Sequence, residues 1–304
     1  MSNAGAGPAP LDRTTLGWAS GLIGVVIFSG SLPATRVAVM DLDPVYLTMS
    51  RAAIAGVLAA IILFLLREAR PARRDVVPLL IASLGVAIGF PLFIALALEH
   101  MTAARGMVFI GLMPLITAAC GVWRAQERMR PVFWLFAIIG SAMVIGFALT
   151  SDTGGGGIGD IYMLMAILLG GLGYAEGGRL SRRLGGWQVI CWALVLSLPA
   201  TLPVALLAQP DWSGVGLPAL AGLAYVSVFS MLIGFVFWYS GLALGGIAAV
   251  GQLQLLQPFM GLALAALILG ETVGLDLALA SVAVVGCVAG ARRTAGRIPV
   301  KVPR

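Results

Sequence analysis

Apolar and polar positions alternate along this chain on a coarse scale: ten long apolar blocks are separated by short polar or glycine-rich joints. The blocks cover approximately 16–39, 45–66, 76–98, 103–123, 131–149, 158–180, 187–207, 217–240, 246–269 and 274–291. Within each block the apolar residues do not form a one-sided stripe, so each predicts a helix in contact with apolar matter all round. Crossing roughly 30 Å of hydrocarbon takes about 20 such residues. The third and eighth blocks are long enough to tilt. The pattern predicts an all-α membrane protein of ten helices, with no room for a separate soluble domain.

Composition strengthens that reading. Sixty per cent of the 304 residues are apolar, 11% are charged, and the mean hydropathy is +1.02. A soluble domain needs far more charge on its surface. The opening "MSNAGAGPAPLDRTT" lacks a basic segment leading into a short apolar core, so it reads as a disordered lead-in over 1–15 and not as a signal peptide. Cys120, Cys191 and Cys287 all fall inside blocks, at spacings that suggest neither a disulfide framework nor a metal site.

Charge then orients the spans. Ten is even, so both termini share a side. The termini and the loops after blocks 2, 4, 6 and 8 carry 16 of the 19 Lys and Arg residues. The opposite loops hold almost none, but carry Asp41, Asp43, Asp152, Asp160, Asp211 and Asp276. Basic loops stay cytoplasmic, so both termini are expected inside. The pI of about 9.8 then reflects topology and anionic lipid. No folded basic surface is available for a nucleic acid.

Two stretches repeat one another. "GLMPLITAACGVWRAQE" (Gly111–Glu127) and "LLQPFMGLALAALILGE" (Leu255–Glu271) each place a proline thirteen residues before a glutamate, at an offset of 144. Upstream, an offset of 143 pairs Gly30 with Gly173 and Arg36 with Arg179, and Pro78 and Pro218 are each expected to open the third helix of a half. Two five-helix units follow, 16–149 and 158–291, with a basic tail over 292–304. Five is odd, so the second unit enters the membrane from the opposite side. Inverted repeats of this kind build secondary transporters, with the substrate site near the midplane at the repeat interface.

The halves resemble the two EamA-type repeats of the drug/metabolite transporter superfamily. The likeness rests on "VIFSGSLPATRVAV" and "DPVYLTMSRAAIAG" in spans 1–2 and on "ALEHMTAARGMVFIGLMPLITA" and "RAQERMRPVFWLFAIIGSAMVIG" in spans 3–5. The second half adds "WYSGLALGGIAAVGQLQLLQPFMGLALAALILGETV". The resemblance covers essentially residues 16–290 and implies ten helices around a cavity between spans 1, 3, 4, 6, 8 and 9. It leaves the substrate open, since similar proteins move amino acids, nucleosides, sugars and drugs. Similar bacterial members export amino acids, aromatic ones included.

Polar groups inside the spans are the candidate chemistry. Pro114 and Pro258 interrupt helical ladders, serving either packing or gating. Gln254 and Gln257 are three apart on span 9. Gln254 is expected at the cavity, and Gln257 at the proline kink. Glu127 and Glu271 at span ends read as solvated or loop-bonding. Arg51, where similar proteins also carry arginine, reads as a structural partner to nearby helix ends more readily than as a substrate contact. Arg105, beside Glu99 and His100, belongs to an outer gate or an interfacial ion cluster. In span 6, Glu176 and Arg179 stand three apart on one face. They form a structural pair, or Glu176 takes up the proton of a coupled cycle. Four GxxxG pairs, at Gly85, Gly173, Gly241 and Gly286, invite close helix approach.

Phe90, Phe93, Met107, Tyr174, Trp238 and Tyr239 complete the expected cavity lining. Trp18, Trp123, Trp134, Trp187 and Trp212, near span ends, read as interfacial anchors. There is no Walker A loop, no metal-ligand spacing, and no nucleophile with a candidate base. No cofactor, metal or catalytic residue is expected. The expected function is a secondary transporter that exports small metabolites, amino acids among the candidates, across the inner (plasma) membrane. Its partners are a small-molecule substrate and the lipid bilayer, and a monomer is compatible with the chain. The rival classes are an intramembrane enzyme, which needs a catalytic cluster, and a scramblase-like structural protein, which needs no saturable solute site.

Overall fold

A computed structural model describes residues 12–100, 109–150, 157–257, 259–261 and 275–295. Among the described residues every regular element is a helix. Six helical rods are long and apolar enough to cross a membrane: Arg13–Thr35, Pro44–Leu65, Arg73–Ala97, Ile158–Leu184, Gly186–Leu207 and Leu217–Gly245. Elsewhere the chain is helical over Met113–Ala125, Pro131–Thr150, Ile247–Gly251 and Leu275–Thr294. Large apolar side chains such as Phe64, Leu65, Leu84, Leu168 and Val282 stand exposed along these rods. On a water-soluble protein so much apolar surface would be a liability; here it is the surface that meets lipid tails.

We number the α-helices α1 (Arg13–Ser29), α2 (Ser31–Ala38), α3 (Pro44–Leu65), α4 (Arg73–Ser83), α5 (Phe90–His100), α6 (Met113–Ala125) and α7 (Pro131–Thr150) in the first half. The second half has α8 (Ile158–Leu184), α9 (Gly186–Leu207), α10 (Leu217–Ala224), α11 (Phe235–Gly245), α12 (Ile247–Gly251) and α13 (Leu275–Thr294). Local signals set several ends. Asp43 accepts hydrogen bonds from the Val45 and Tyr46 amides at 2.9 Å and Pro44 fills the first turn of α3. Pro218 opens α10 in the same way. Pro78, expected to open its helix, lies well inside α4, because Arg73 and Arg74 already extend that helix beyond the apolar block.

The third rod of each half shares a device invisible in the hydrophobic pattern. Between α4 and α5, and again between α10 and α11, the helix widens into a π-helical segment, Leu84–Gly89 and Tyr225–Gly234. Such segments shift the phase of everything that follows and recur at functional sites. Each widened rod packs on the first rod of the other half, α5 on α8 and α11 on α1. Glycines permit both crossings. A Cβ on Gly85 would lie 2.7 Å from the Gly173 Cα, and one on Gly241 would lie 2.7 Å from the Gly21 Cα. The GxxxG glycines at Gly85, Gly173 and Gly241 therefore serve close backbone approach. Further pairings set α3 along α9 and α7 along α13.

Candidate functional site

The interior has two polar regions of opposite character. The first is a cavity of about 590 Å³ between the halves. Its wall combines α1–α3 and α5 with Tyr174 of α8, Ser230 and Phe235 of the eighth block, and Gln254 and Gln257 beyond α12. It reaches Val39 and Met40, next to the loop where Asp41 accepts a hydrogen bond from the Gly216 amide at 2.9 Å. Trp212 in the facing loop meets Tyr46 edge-on, with ring centroids 6.2 Å apart.

Rings build the apolar part of the cavity. Phe28 tilts against Phe235 at 5.0 Å, Tyr174 against Phe235 at 5.8 Å, and Phe90 against Tyr174 at 6.3 Å. On the polar side, the Ser31 hydroxyl bonds to Ser230 at 2.7 Å, and Arg51 Nη2 donates to the same Ser230 oxygen at a long 3.4 Å. Thr48, which donates to the Pro44 carbonyl at 2.8 Å, stands one turn before Arg51 on the same wall. Tyr174, Gln254 and Arg51 all line this cavity.

The second polar region lies at the far end of α8 and consists of charges with partners. Glu176, fully buried, accepts from Arg124 Nε at 3.0 Å and from Arg179 on its own helix. Asp75 of α4 pairs with Arg183. Glu127 pairs with Arg182 and also accepts the amides of Ile247 and Ala248, each at 2.8 Å. Local geometry explains its reach. Gln126 takes a left-handed conformation at φ 55°, ending α6, and so turns Glu127 back toward the start of α12. A carboxylate there satisfies amides that lack helical partners and meets the positive end of the helix dipole. Two arginines of α8, Arg182 and Arg183, are thereby tied to the loop after α6 and to α4, and its Glu176 to Arg124 of α6, joining the two halves.

The same fold recurs in a solved crystal structure, which superposes with a TM-score of 0.75 at 20% identity and covers 92% of this chain and 98% of its own. The sequence profile of the EamA-like transporter family matches twice, over residues 15–151 and 157–292. The chain belongs to the EamA-like transporter family. It is similar to the uncharacterized transporter YdeK of Bacillus subtilis (strain 168), with 62% identity over 286 residues, 94% of this chain and 100% of that one. It is also 25% identical over 283 residues to a probable terminal-alkyne amino-acid exporter of Streptantibioticus cattleyicolor, covering 90% of this chain and 92% of that one.

In this EamA-family chain the structure sorts the residues singled out by sequence. Phe90, Tyr174 and Gln254 line the cavity. Trp238 and Tyr239 do not. Both are fully buried behind the wall, where Trp238 packs edge-on against Tyr174 at 5.5 Å and Tyr239 donates to the Gly173 carbonyl at 3.1 Å. Phe93 also stands off the wall, against the ring of Tyr162 at 6.0 Å. Met107, Arg105, Pro258 and Glu271 lie outside the described residues. Pro114 occupies the first turn of α6, so the ladder breaks before it and not at it, and its carbonyl lies 3.4 Å from Gln252 Nε2.

Several expectations change. Of the two readings for Glu127, solvated or loop-bonding, the solvated one fails: the side chain is 3% exposed and bonds to backbone amides and Arg182. Trp18 is buried with the Arg292 guanidinium 5.2 Å over its ring, and is no interfacial anchor. Arg51 faces the cavity instead of a helix end, and Gln257 lines it too. Sequence reasoning missed Ser31, Ser230, Asp75 and Arg124. Ser230 could not have been found by periodicity, because it sits in the π-helical segment that resets the phase. Asp75 carried a readable signal, an acidic residue in the first turn of a helix flanked by arginines.

Proposed function

We propose that this membrane transporter is a ten-helix secondary transporter made of two inverted five-helix repeats, 16–149 and 158–291. It moves small amphiphilic metabolites, amino acids among them, out across the plasma (inner) membrane by alternating access. The observation that carries the reading is a single cavity of about 590 Å³ whose wall draws on both halves, within the range of small-molecule sites. That cavity reaches the aspartate-bearing end at Met40, and the opposite, arginine-rich end is held together by Glu176, Glu127 and Asp75. With the arginine-rich loops in the cytoplasm, this is an outward-facing arrangement with both termini inside. The exchange of partners between halves, α1 with α11 and α8 with α5, supports the inverted pseudo-symmetry. Export follows the named activity of the Streptantibioticus relative. The described residues of its wall all come from one chain, which supports a monomer as the working unit.

Purified protein in proteoliposomes, loaded with a panel of amino acids and other metabolites, tests the proposal. Saturable efflux or counterflow of at least one solute is the expected result. Absence of saturable flux for every solute, with correctly folded and inserted protein, would refute it.

A further inference from the structure

Charge at the arginine-rich end does not balance. Arg182 pairs with Glu127, which leaves Asp75 and Glu176 to answer Arg74, Arg124, Arg179 and Arg183. Asp75 takes Arg183, and Glu176 takes both Arg124 and Arg179. Arg74 has no carboxylate among the described residues. Three of these guanidiniums share one place. Arg74 of α4 and Arg179 and Arg183 of α8 line a pocket of about 270 Å³, together with Asp75, Pro78 and Leu180. Its one lining carboxylate, Asp75, is 2% exposed and already bonded to Arg183. The arginines remain open to the surroundings. Arg74 is exposed, and the side chains of Arg179 and Arg183 are 38% and 44% exposed. The Arg179 Nε is itself buried and donates to no group of the described residues. Such an unused donor is costly unless something else accepts from it.

The pocket lies at the ends of two rods long and apolar enough to span a membrane, Arg73–Ala97 and Ile158–Leu184. From Arg74 the first rod continues through Val77, Leu80 and Leu84, all exposed. A cluster of planar donors thus sits at the head of an apolar stripe that meets lipid. Its complement is an anion with several acceptor oxygens, carried on hydrocarbon. Guanidinium forks match phosphate oxygens, and basic pockets between spans hold anionic headgroups. We propose that Arg74, Arg179 and Arg183 bind the phosphate of an anionic phospholipid, whose acyl chains lie along Val77, Leu80 and Leu84. A soluble phosphate offers the same oxygens but gains nothing from the stripe. With the arginine-rich end in the cytoplasm, as proposed above, the lipid belongs to the inner leaflet. The site is separate from the central cavity, with which it shares no lining residue. Because α4 lies in the first family repeat and α8 in the second, the bound phosphate ties the two halves together.

The test uses the full chain in detergent micelles, with thermal unfolding followed as three probes are titrated in: phosphatidylglycerol, phosphatidylcholine, and glycerol phosphate (the anion without acyl chains). In the wild type, phosphatidylglycerol should raise the Tm saturably, and the other two should not. Arg74→Gln should move the phosphatidylglycerol midpoint about fivefold higher, the effect of one guanidinium at a lipid surface, and Arg74→Lys should recover part of it. Arg128→Gln removes the same charge from the loop after α6 and should leave the midpoint at its wild-type value. An unchanged midpoint in Arg74→Gln, or an equal shift in Arg128→Gln, overturns the site in favour of diffuse attraction to anionic lipid. Equal stabilisation by phosphatidylcholine also overturns it, and that arm needs no variant to fold. Saturable stabilisation by glycerol phosphate at the same midpoint overturns the lipid and makes the ligand a soluble phosphate.

Discussion

At the arginine-rich end each buried carboxylate has a cation, and Glu127 adds two backbone amides. At the cavity the half-buried Arg51 has, among the described residues, only a distant hydroxyl, and the buried Gln254 amide has an idle oxygen. Both regions place charge where lipid or protein surrounds it, and both therefore incur desolvation. In the first region every buried carboxylate is bonded, although the Arg179 Nε has no partner, and the pairs clamp the halves together. The unsatisfied one is incomplete until something enters. A buried polar group that is fully bonded points to architecture, and one left unbonded beside a cavity points to a ligand.

If that contrast is right, the largest loss of stability comes from the satisfied end. Glu127→Ala removes the pairing with the partly exposed Arg182 and leaves two buried amides of α12 without a partner, at about 1–3 kcal/mol for each unsatisfied amide. Thermal unfolding in detergent reads it, and a melting temperature equal to wild type would break the comparison. Next comes the boundary between wall and core. Trp238→Ala should cost roughly 3–5 kcal/mol as a deep cavity. Phe90→Ala, at the wall, should mainly raise the apparent KM. The same unfolding assay, run beside transport, separates the two, and a pure KM effect in Trp238→Ala would return it to the site.

Glu176→Gln should be milder, because both of its arginines are about a third exposed and solvent screens them. A structural role predicts lower melting temperatures for Glu176→Gln and Arg124→Gln, with any surviving transport keeping its pH dependence. A variant of normal stability that exchanges substrate but ignores a pH gradient would instead make Glu176 the coupling carboxylate. The smallest perturbation tests the openness of the cavity. A cysteine at Thr35, in a background lacking Cys120, Cys191 and Cys287, should react with a membrane-impermeant maleimide from outside and be protected by substrate. Labelling from the inside alone would invert the orientation.

Much of this was legible beforehand. The Glu176–Arg179 pair follows from a three-residue spacing on one helix, and Gln254 was visible as an amide in an oily run. Arg51, on the same cavity wall, was visible too, but was read as a partner to helix ends. The Trp238 and Tyr239 placements failed for a different reason. On a helix that is apolar on every face, spacing does not say which face turns inward, and the π-helical segment Tyr225–Gly234 lies immediately before them.

The sequence by itself determined the membrane class, the doubled order of landmarks, the side bias of arginine and the family. Those properties are additive along the chain: hydrophobic length, charge per loop and motif order are local sums. The tertiary structure alone decided that Glu127 caps a helix 120 residues away, that Asp75 meets Arg183 and Arg124 meets Glu176, and which rings face the cavity. Lipid and protein core are both apolar, so burial in one or the other leaves the same mark on the sequence. Only packing against the neighbouring helices fixes the rotation of each rod, and with it the residues that meet the substrate.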